Sequence, residues 1–416
     1  MKMTDKSYEK AVDIPSRVKF RGLLLTASSL SGLSFLLTIN KSFLSWITDW
    51  LRWCPTSLEL LEQAETKLFS YLKKTPEVTF VPINSDNQTE EYKIRSLVAN
   101  KDADGKATPL LLLHGFASGI GLWISNLDSL SQNRPLYAID ILGFGLSSRP
   151  AFSKDAELAE NQFVESIESW RKKVGLKQFI LLGHSMGGYL AAAYSIKYPD
   201  NIKHLILADP WGFPIQDSST RKIELPLWAK AVAAMLRPFN PLAGLRAAGP
   251  WGPRLVQRFR PDILRKFENI VADSSDVSNY IYHCNAQYPS GEAAFKAMSA
   301  PFGWANRPMI QRISQIKHDI PITFIYGARS WIDSSIGLQT RAIRENSYVD
   351  IKMIQGAGHH VYVDKAEEFN EIVCCVCTKV DNNEVLPDSS LTRSDMSDVT
   401  LMKTTEENKT VLAKTV

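Results

Sequence analysis

The stretch "QFILLGHSMGGYLAAAYSIKY", residues 178 to 198, changes character in its middle. Phe179 to Leu182 form a short, continuous apolar run, the pattern of a strand buried on both faces. From Met186 onward, small and apolar residues continue for about three turns, which suits a buried helix. Between the two stands Gly183-His184-Ser185-Met186-Gly187, a serine on a strand-to-helix turn. That is the context of a nucleophile elbow, where a strained turn exposes the serine hydroxyl. Side chains at 183 or 187 would collide with the adjoining strand and helix, so glycine is needed at both.

The same alternation extends in both directions. "TPLLLLHGF", "RPLYAIDILGFG" and "IKHLILADP" are further apolar runs, separated by helical segments such as "QFVESIESWRKKVG". Two strands, "EVTFVPIN" and "EYKIRSLVAN", precede them, and two more, "DIPITFIYGA" and "SYVDIKMIQGAG", follow after a long gap. The expectation is an α/β fold with a mostly parallel, eight-stranded sheet and helices on both faces. The gap predicts a helical lid, since insertions in open α/β sheets cap the strand ends where ligands bind. The chain therefore divides into an N-terminal region (1–74), a first core segment (75–213), the lid (214–306), a second core segment (307–380) and a polar tail (381–416). The tail has the composition of a disordered segment.

A nucleophilic serine needs a base, and the base an orienting acid. On an elbow of this kind the chain order is Ser, then Asp or Glu, then His. Asp333, after "TFIYGARSWID", and His359, after "IKMIQGAGH", stand at strand ends in that order. Asp209 also ends a strand and is the alternative acid; His360 is the alternative base. Alone, Asp333 would read as a loop cap and His359 as a surface histidine. The joint order favours a triad of Ser185, Asp333 and His359. An oxyanion hole would come from the backbone N–H groups of Phe116, in "HGF", and Met186.

The composition narrows the rest. A net charge of +4 over 416 residues, with no arginine or lysine block, argues against a nucleic-acid partner. Five cysteines without framework spacing, three of them in "CCVC" (Cys374, Cys375, Cys377), argue against a disulfide scaffold. Neither a cofactor nor a metal is implied.

Near the N-terminus, the uncharged stretch 22–40 follows three basic residues but is diluted by serine, threonine and glycine. It reads as weakly membrane-seeking, with a spanning helix the lesser alternative. In "SFLSWITDWLRWCP", Trp46, Trp50 and Trp53 fall on one side of a helix. Such a stripe is more often core. Tryptophan's apolar ring and polar N–H instead suit a membrane–water boundary, and attachment is the favoured reading. The lid arginines Arg237, Arg246, Arg254, Arg258 and Arg260 read mainly as a solvated face, with one or two available to a lipid phosphate.

The segments "LLLHGFASGIGLW", "DILGFGLSSRP", "LLGHSMGGYLAAAYSIKYP", "ADPWGFP", "PFNPLAGLRAAGP", "YIYHCNAQYPSGEAAF", "YGARSWID" and "GAGHHVYVD" together resemble the α/β-hydrolase-domain subfamily four/five, from about Trp50 to Val380. These are lysophospholipase-like enzymes and the lipid-droplet lipase co-activator. The resemblance implies an α/β-hydrolase fold and a triad on Ser185, Asp333 and His359. It further implies a phospholipid or acylglycerol substrate. The co-activator branch has asparagine at the nucleophile; serine here implies hydrolytic competence. A His-x-x-x-x-Asp motif credited in the subfamily with acyl transfer to lysophosphatidic acid fits His359 and Asp364, but also His204 and Asp209. The expected location is cytoplasmic, peripheral to lipid droplets or to endoplasmic-reticulum or mitochondrial membranes. The alternative is a non-catalytic droplet scaffold, with a separate triacylglycerol lipase and droplet coat proteins as partners.

Overall fold

In the computed structural model the described residues are 56–84, 91–103, 105, 107–216, 242–259, 261–300 and 303–384. The expectations for the 22–40 stretch, for Trp46, Trp50 and Trp53, for Arg237 and Arg260, and for the tail from residue 385 lie outside them. Eight strands form one sheet: β1 (Glu77–Asn84), β2 (Glu91–Ala99), β3 (Leu110–Leu113), β4 (Leu136–Ile139), β5 (Phe179–His184), β6 (Ile202–Ala208), β7 (Ile322–Gly327) and β8 (Val349–Ile354). Their spatial order is β1-β2-β4-β3-β5-β6-β7-β8. β1 and β2 pair antiparallel, as do β2 and β4; every later pairing is parallel.

The apolar runs have a simple cause. Successive strand residues point to opposite faces, and both faces here are covered. Leu111 and Leu113 of β3 join a core with Phe163, Trp170, Tyr189 and Leu190, whereas Leu110 and Leu112 join a second core with Leu61, Trp123, Phe369 and Val373. The first core belongs to α2 (Ala156–Val174) and α3 (Met186–Lys197), the second to α1 (Leu58–Phe69) and the final helix described below. Neither face tolerates polar alternation, so the strands read as unbroken hydrophobic runs.

Helix boundaries follow local chemistry. α1 starts at Ser57, whose side chain accepts the N–H of Leu60, and α2 starts at Asp155, which accepts from Glu157 and Leu158. Gly175 ends α2 with a left-handed φ of 73°, a conformation glycine adopts without steric cost.

Between β6 and β7 the chain forms the helices α4 (Gly252–Phe259), α5 (Ser274–Ala286) and α6 (Ser290–Met298). The second core segment then adds α7 (Ser335–Ile343), and α8 (Ala366–Asp381) closes the fold. Cys377 on α8 is buried in the core beside the partly buried Cys374, while Cys375 faces out. Among the described residues no helix is long and apolar enough to cross a membrane.

Candidate active site

Ser185 sits between β5 and α3 with φ 53° and ψ −118°. A non-glycine residue with positive φ is strained, and strain of this kind persists only where the surroundings enforce it. They do so through crowding. A Cβ on Gly183 would lie 2.2 Å from the carbonyl oxygen of Gly187, and one on Gly187 would lie 2.4 Å from that of Leu113. The turn is thus pressed against β3 and its own helix, which lifts the serine to the end of the sheet.

His359 reaches Ser185 from the loop after β8. Its Nε2 lies 3.0 Å from Ser185 Oγ, and its Nδ1 lies 2.6 Å from Oδ2 of Asp209. The ring therefore donates through Nδ1 to the carboxylate and accepts the serine proton at Nε2. Asp209 follows β6, is fully buried and has φ 45°. Burial pushes its carboxyl up, opposed by hydrogen bonds from His359, the Ser330 hydroxyl and the Gly327 N–H. Trp211 N–H donates to the carbonyl of Ser185 at 3.1 Å, tying the acid's loop to the elbow.

The choice of Asp333 as the orienting acid is therefore corrected. Asp333 is exposed, and its two oxygens accept from the N–H and hydroxyl of Ser335 at 3.0 and 2.8 Å. It is the loop cap that the plainer reading described. The physical reason is reach: Asp209 ends a strand beside β5, and its backbone N–H is locked to Ile325 O at 2.8 Å, so its side chain already occupies the Nδ1 side of His359.

The His-x-x-x-x-Asp pairing is corrected as well. Both ring nitrogens of His359 are engaged with Ser185 and Asp209, whereas Asp364 accepts the Gly358 N–H at 2.7 Å and pairs with Lys266 Nζ at 2.6 Å. Asp364 holds the turn that presents His359 instead of forming a second couple with it. The other match fails similarly: His204 is buried on β6 against Thr323 at 2.8 Å, and burial lowers its pKa to about 3. The alternative base His360 lines the cavity but caps the short turn after it, its carbonyl accepting from Val363 and Asp364.

His184 is a site residue that the sequence reading passed over. Its Nε2–H donates to the His359 carbonyl at 2.8 Å. Burial, together with His359 and His360, holds it well below the ordinary imidazole range, so it stays neutral and anchors the His359 loop. Its place immediately before the nucleophile was the available signal.

Phe116 lies on the loop after β3, and Met186 directly follows Ser185. Met186 is the first residue of α3, so its N–H has no helical acceptor. The Phe116 loop is gripped from the lid. Asn285 on α5 donates to Ala117 O at 3.0 Å, and the Tyr280 hydroxyl accepts the Gly121 N–H at 2.9 Å. Ala117 itself has φ 58°. At Gly115 a Cβ would lie 3.1 Å from Ser185 Cβ and 2.8 Å from His184 Nδ1, so glycine lets this loop approach the nucleophile.

Ser185 and His359 open into a cavity of about 740 Å³. Leu122, Leu245, Val256, Ile281, Phe295 and Tyr362 are among its walls, so it is largely apolar. Of the lid arginines described, Arg246 is ion-paired with Glu292 at 2.8 Å, while Arg254 and Arg258 are exposed.

A sequence profile of the alpha/beta hydrolase fold matches residues 108–366. The human (lyso)-N-acylphosphatidylethanolamine lipase is 51% identical over 327 residues, 78% of this chain and 94% of that protein. The human 1-acylglycerol-3-phosphate O-acyltransferase ABHD5 is 52% identical over the same length, 78% of this chain and 92% of that protein. The chain belongs to the α/β-hydrolase family.

Within that family it falls in the subfamily of these two relatives. A membrane phospholipase A from a bacterium shares the architecture, with TM-score 0.53 and 21% identity over 85% of this chain and 98% of that one. This likeness concerns the fold. As an α/β-hydrolase the chain places its acid after β6, not after β7, and that difference separates Asp209 from Asp333.

Proposed function

We propose that this α/β-hydrolase is a serine hydrolase of lipid esters, acting on (lyso)phospholipids, N-acyl phospholipids or acylglycerols. The observation that carries the reading is the Ser185–His359–Asp209 relay opening into an apolar cavity of about 740 Å³. An acyl chain occupies the cavity. Ser185 Oγ attacks the ester carbonyl as His359 Nε2 takes its proton, and Asp209 stabilises the resulting imidazolium. The oxyanion faces the N–H groups of Phe116 and Met186, a type of interaction typically worth about 3 kcal/mol per donor. His359 then protonates the leaving oxygen, and a second hydroxyl cleaves the acyl-enzyme. Where that hydroxyl belongs to water the outcome is hydrolysis; where it belongs to a lysolipid such as lysophosphatidic acid, the same residues perform acyl transfer.

The enzyme works at a membrane or lipid-droplet surface in this reading, held by the N-terminal tryptophans, in the cytoplasm and peripheral to droplets or to endoplasmic-reticulum or mitochondrial membranes. Support comes from the sequence pattern at Trp46, Trp50 and Trp53 and from the apolar cavity. A partnership with a triacylglycerol lipase and droplet coat proteins has the subfamily resemblance as its support.

The test is direct. Purified protein should react with a fluorophosphonate probe and hydrolyse a panel of lysophospholipids and acylglycerols, and Ser185→Ala should abolish both. Hydrolysis that survives in Ser185→Ala would remove the relay from the reaction.

A further inference from the structure

We propose that the hydroxyls of Ser118 and Tyr362 anchor one uncharged group of the substrate, a free glycerol hydroxyl on the carbon next to the scissile ester. The anchor selects monoacyl glycerolipids, that is lysophospholipids and monoacylglycerols, over esters without that hydroxyl. The proposal rests on the serine-hydrolase reading and narrows the substrate class of the same cavity.

An orphaned hydroxyl carries the argument. Burying a polar side chain without a partner costs free energy, so most buried polar groups are paired. Among the described residues, two buried side-chain atoms of the cavity wall have no hydrogen-bond partner, Ser118 Oγ and His184 Nδ1. His184 Nδ1 lies against the backbone, 2.8 Å from where a Gly115 Cβ would stand. Ser118 is only 8% exposed and lines the cavity. Tyr362, also buried, lines the same cavity. Burial pushes its phenol up, and the neighbouring Ser118 hydroxyl opposes that rise, yet the two form no hydrogen bond of ordinary geometry.

The pair belongs to the two segments that serve the ester. Ser118 is two residues past Phe116, on the loop that meets the nucleophile at Gly115. Tyr362 is three residues past His359, and its ring centroid is 4.8 Å from that of His184, whose Nε2–H holds the His359 carbonyl. In a relay of this kind the histidine protonates the departing oxygen. In a monoacyl glycerolipid the free hydroxyl stands on the carbon adjacent to the one bearing that oxygen, so it enters the cavity on the same side.

The walls fix the kind of group. Among the described residues that line the cavity none is a lysine, arginine, aspartate or glutamate. A phosphate or ammonium would be stripped of water there without a counter-charge, which is costly. A hydroxyl both donates and accepts. Between Ser118 and Tyr362 it takes a proton from one and gives its own to the other, so the orphaned hydroxyl gains a partner and each bond polarises the next.

The experiment compares hydrolysis of 1-decanoylglycerol and of 3-hydroxypropyl decanoate by the full chain, both below their micellar concentrations. The two esters share the acyl chain and the terminal hydroxyl and differ in the hydroxyl next to the ester. A site that pairs with a hydroxyl is left with unpaired buried groups when the hydroxyl is missing, so kcat/KM should favour 1-decanoylglycerol by about tenfold or more. That preference should drop to about threefold or less in Ser118→Ala and in Tyr362→Phe. It should also be lost on 1-decanoyl-2-O-methylglycerol, which keeps the oxygen but not its proton. Each variant is read as a ratio of its own two rates, which does not depend on the folded fraction. A preference that both variants retain assigns the two hydroxyls to the wall alone and overturns the proposal, as does a methyl ether hydrolysed as fast as 1-decanoylglycerol. Equal rates on the two esters, both abolished in Ser185→Ala, discard the anchor and leave the hydrolase reading standing. Hydrolysis of neither ester by the native chain removes both.

Discussion

Nδ1 of His359 stands 2.6 Å from the Asp209 carboxylate, while Asp333 turns away to cap α7. One carboxylate is fully buried at the end of β6; the other is exposed two residues past Trp331. Replacing the orienting carboxylate by its amide leaves geometry intact but favours the wrong imidazole tautomer, which in serine enzymes costs on the order of 10⁴ in kcat. Asp209→Asn should show that loss on 4-nitrophenyl butyrate. Asp333→Asn should cost less than tenfold on the same ester. The reverse pattern would show that His359 turns to Asp333 during turnover.

The lid and the oxyanion loop are joined by Asn285 and Tyr280. Ala117 holds a left-handed φ of 58°, and the Asn285 amide secures the carbonyl at that strained point. Asn285→Asp is nearly isosteric but removes the N–H donor and sets a carboxylate against a carbonyl. A displacement of about 1 Å at a catalytic group can cost on the order of 10² in rate. The expected outcome is a fall in kcat of ten- to a hundredfold with KM changed less than threefold. Asn285→Gln, which keeps a donor, should recover part of it. An equal rise in KM would place Asn285 in substrate binding instead.

How much of this was legible before the structure depends on what kind of signal each part left. The central strands were readable because burial on both faces turned them into unbroken apolar runs, as in Leu110 to Leu113, whereas β1 and β8 at the sheet edges carry exposed polar positions. The elbow was readable because Gly183 and Gly187 have backbone neighbours within 2.4 Å of any added Cβ, so no other residue fits. The acid was not. Asp209 and Asp333 both follow strands, and the chain order Ser, Asp, His is satisfied by either. Only the spacing of β6 and β7 from β5 decides which reaches His359, and that spacing is a property of the assembled sheet. The role of His184 was hidden for the same reason, since it acts on the backbone of the His359 loop across the fold, whereas Asp364 acts locally, on Gly358 six residues before it.

His204 offers a test of burial independent of catalysis. Its folded pKa of about 3 lies below the ordinary value of 6.5, because the charged form is unfavourable inside the sheet. The unfolded chain therefore binds a proton between those two values that the folded chain does not, and stability falls as pH drops through that window. At pH 5.5, one unit below the unfolded value, the loss from this group is about 1.4 kcal/mol. His204→Gln removes the titration. Urea midpoints measured at pH 7.5 and 5.5 should converge between the two proteins by about that amount at the lower pH. Parallel shifts would mean that His204 is protonated in the folded state.

The last prediction concerns where the enzyme works. Trp46, Trp50 and Trp53 share one side of a helical count and lie ahead of α1, far in sequence from the relay. Burying a large aromatic side chain contributes about 2 kcal/mol at 25 cal/mol per Å². Three such contributions correspond to several powers of ten in partitioning, reduced by the cost of immobilising the chain at a surface. Changing all three to alanine should therefore move the protein from the vesicle-bound to the free fraction in flotation. Hydrolysis of a short, water-soluble ester should persist, because Ser185, His359 and Asp209 are held by the sheet. Hydrolysis of lipid packed in vesicles should fall by at least tenfold. A triple variant that still floats with vesicles and keeps its melting temperature would transfer the anchoring role to residues 22–40. One that loses its cooperative melting transition would assign the tryptophans to the core of the fold.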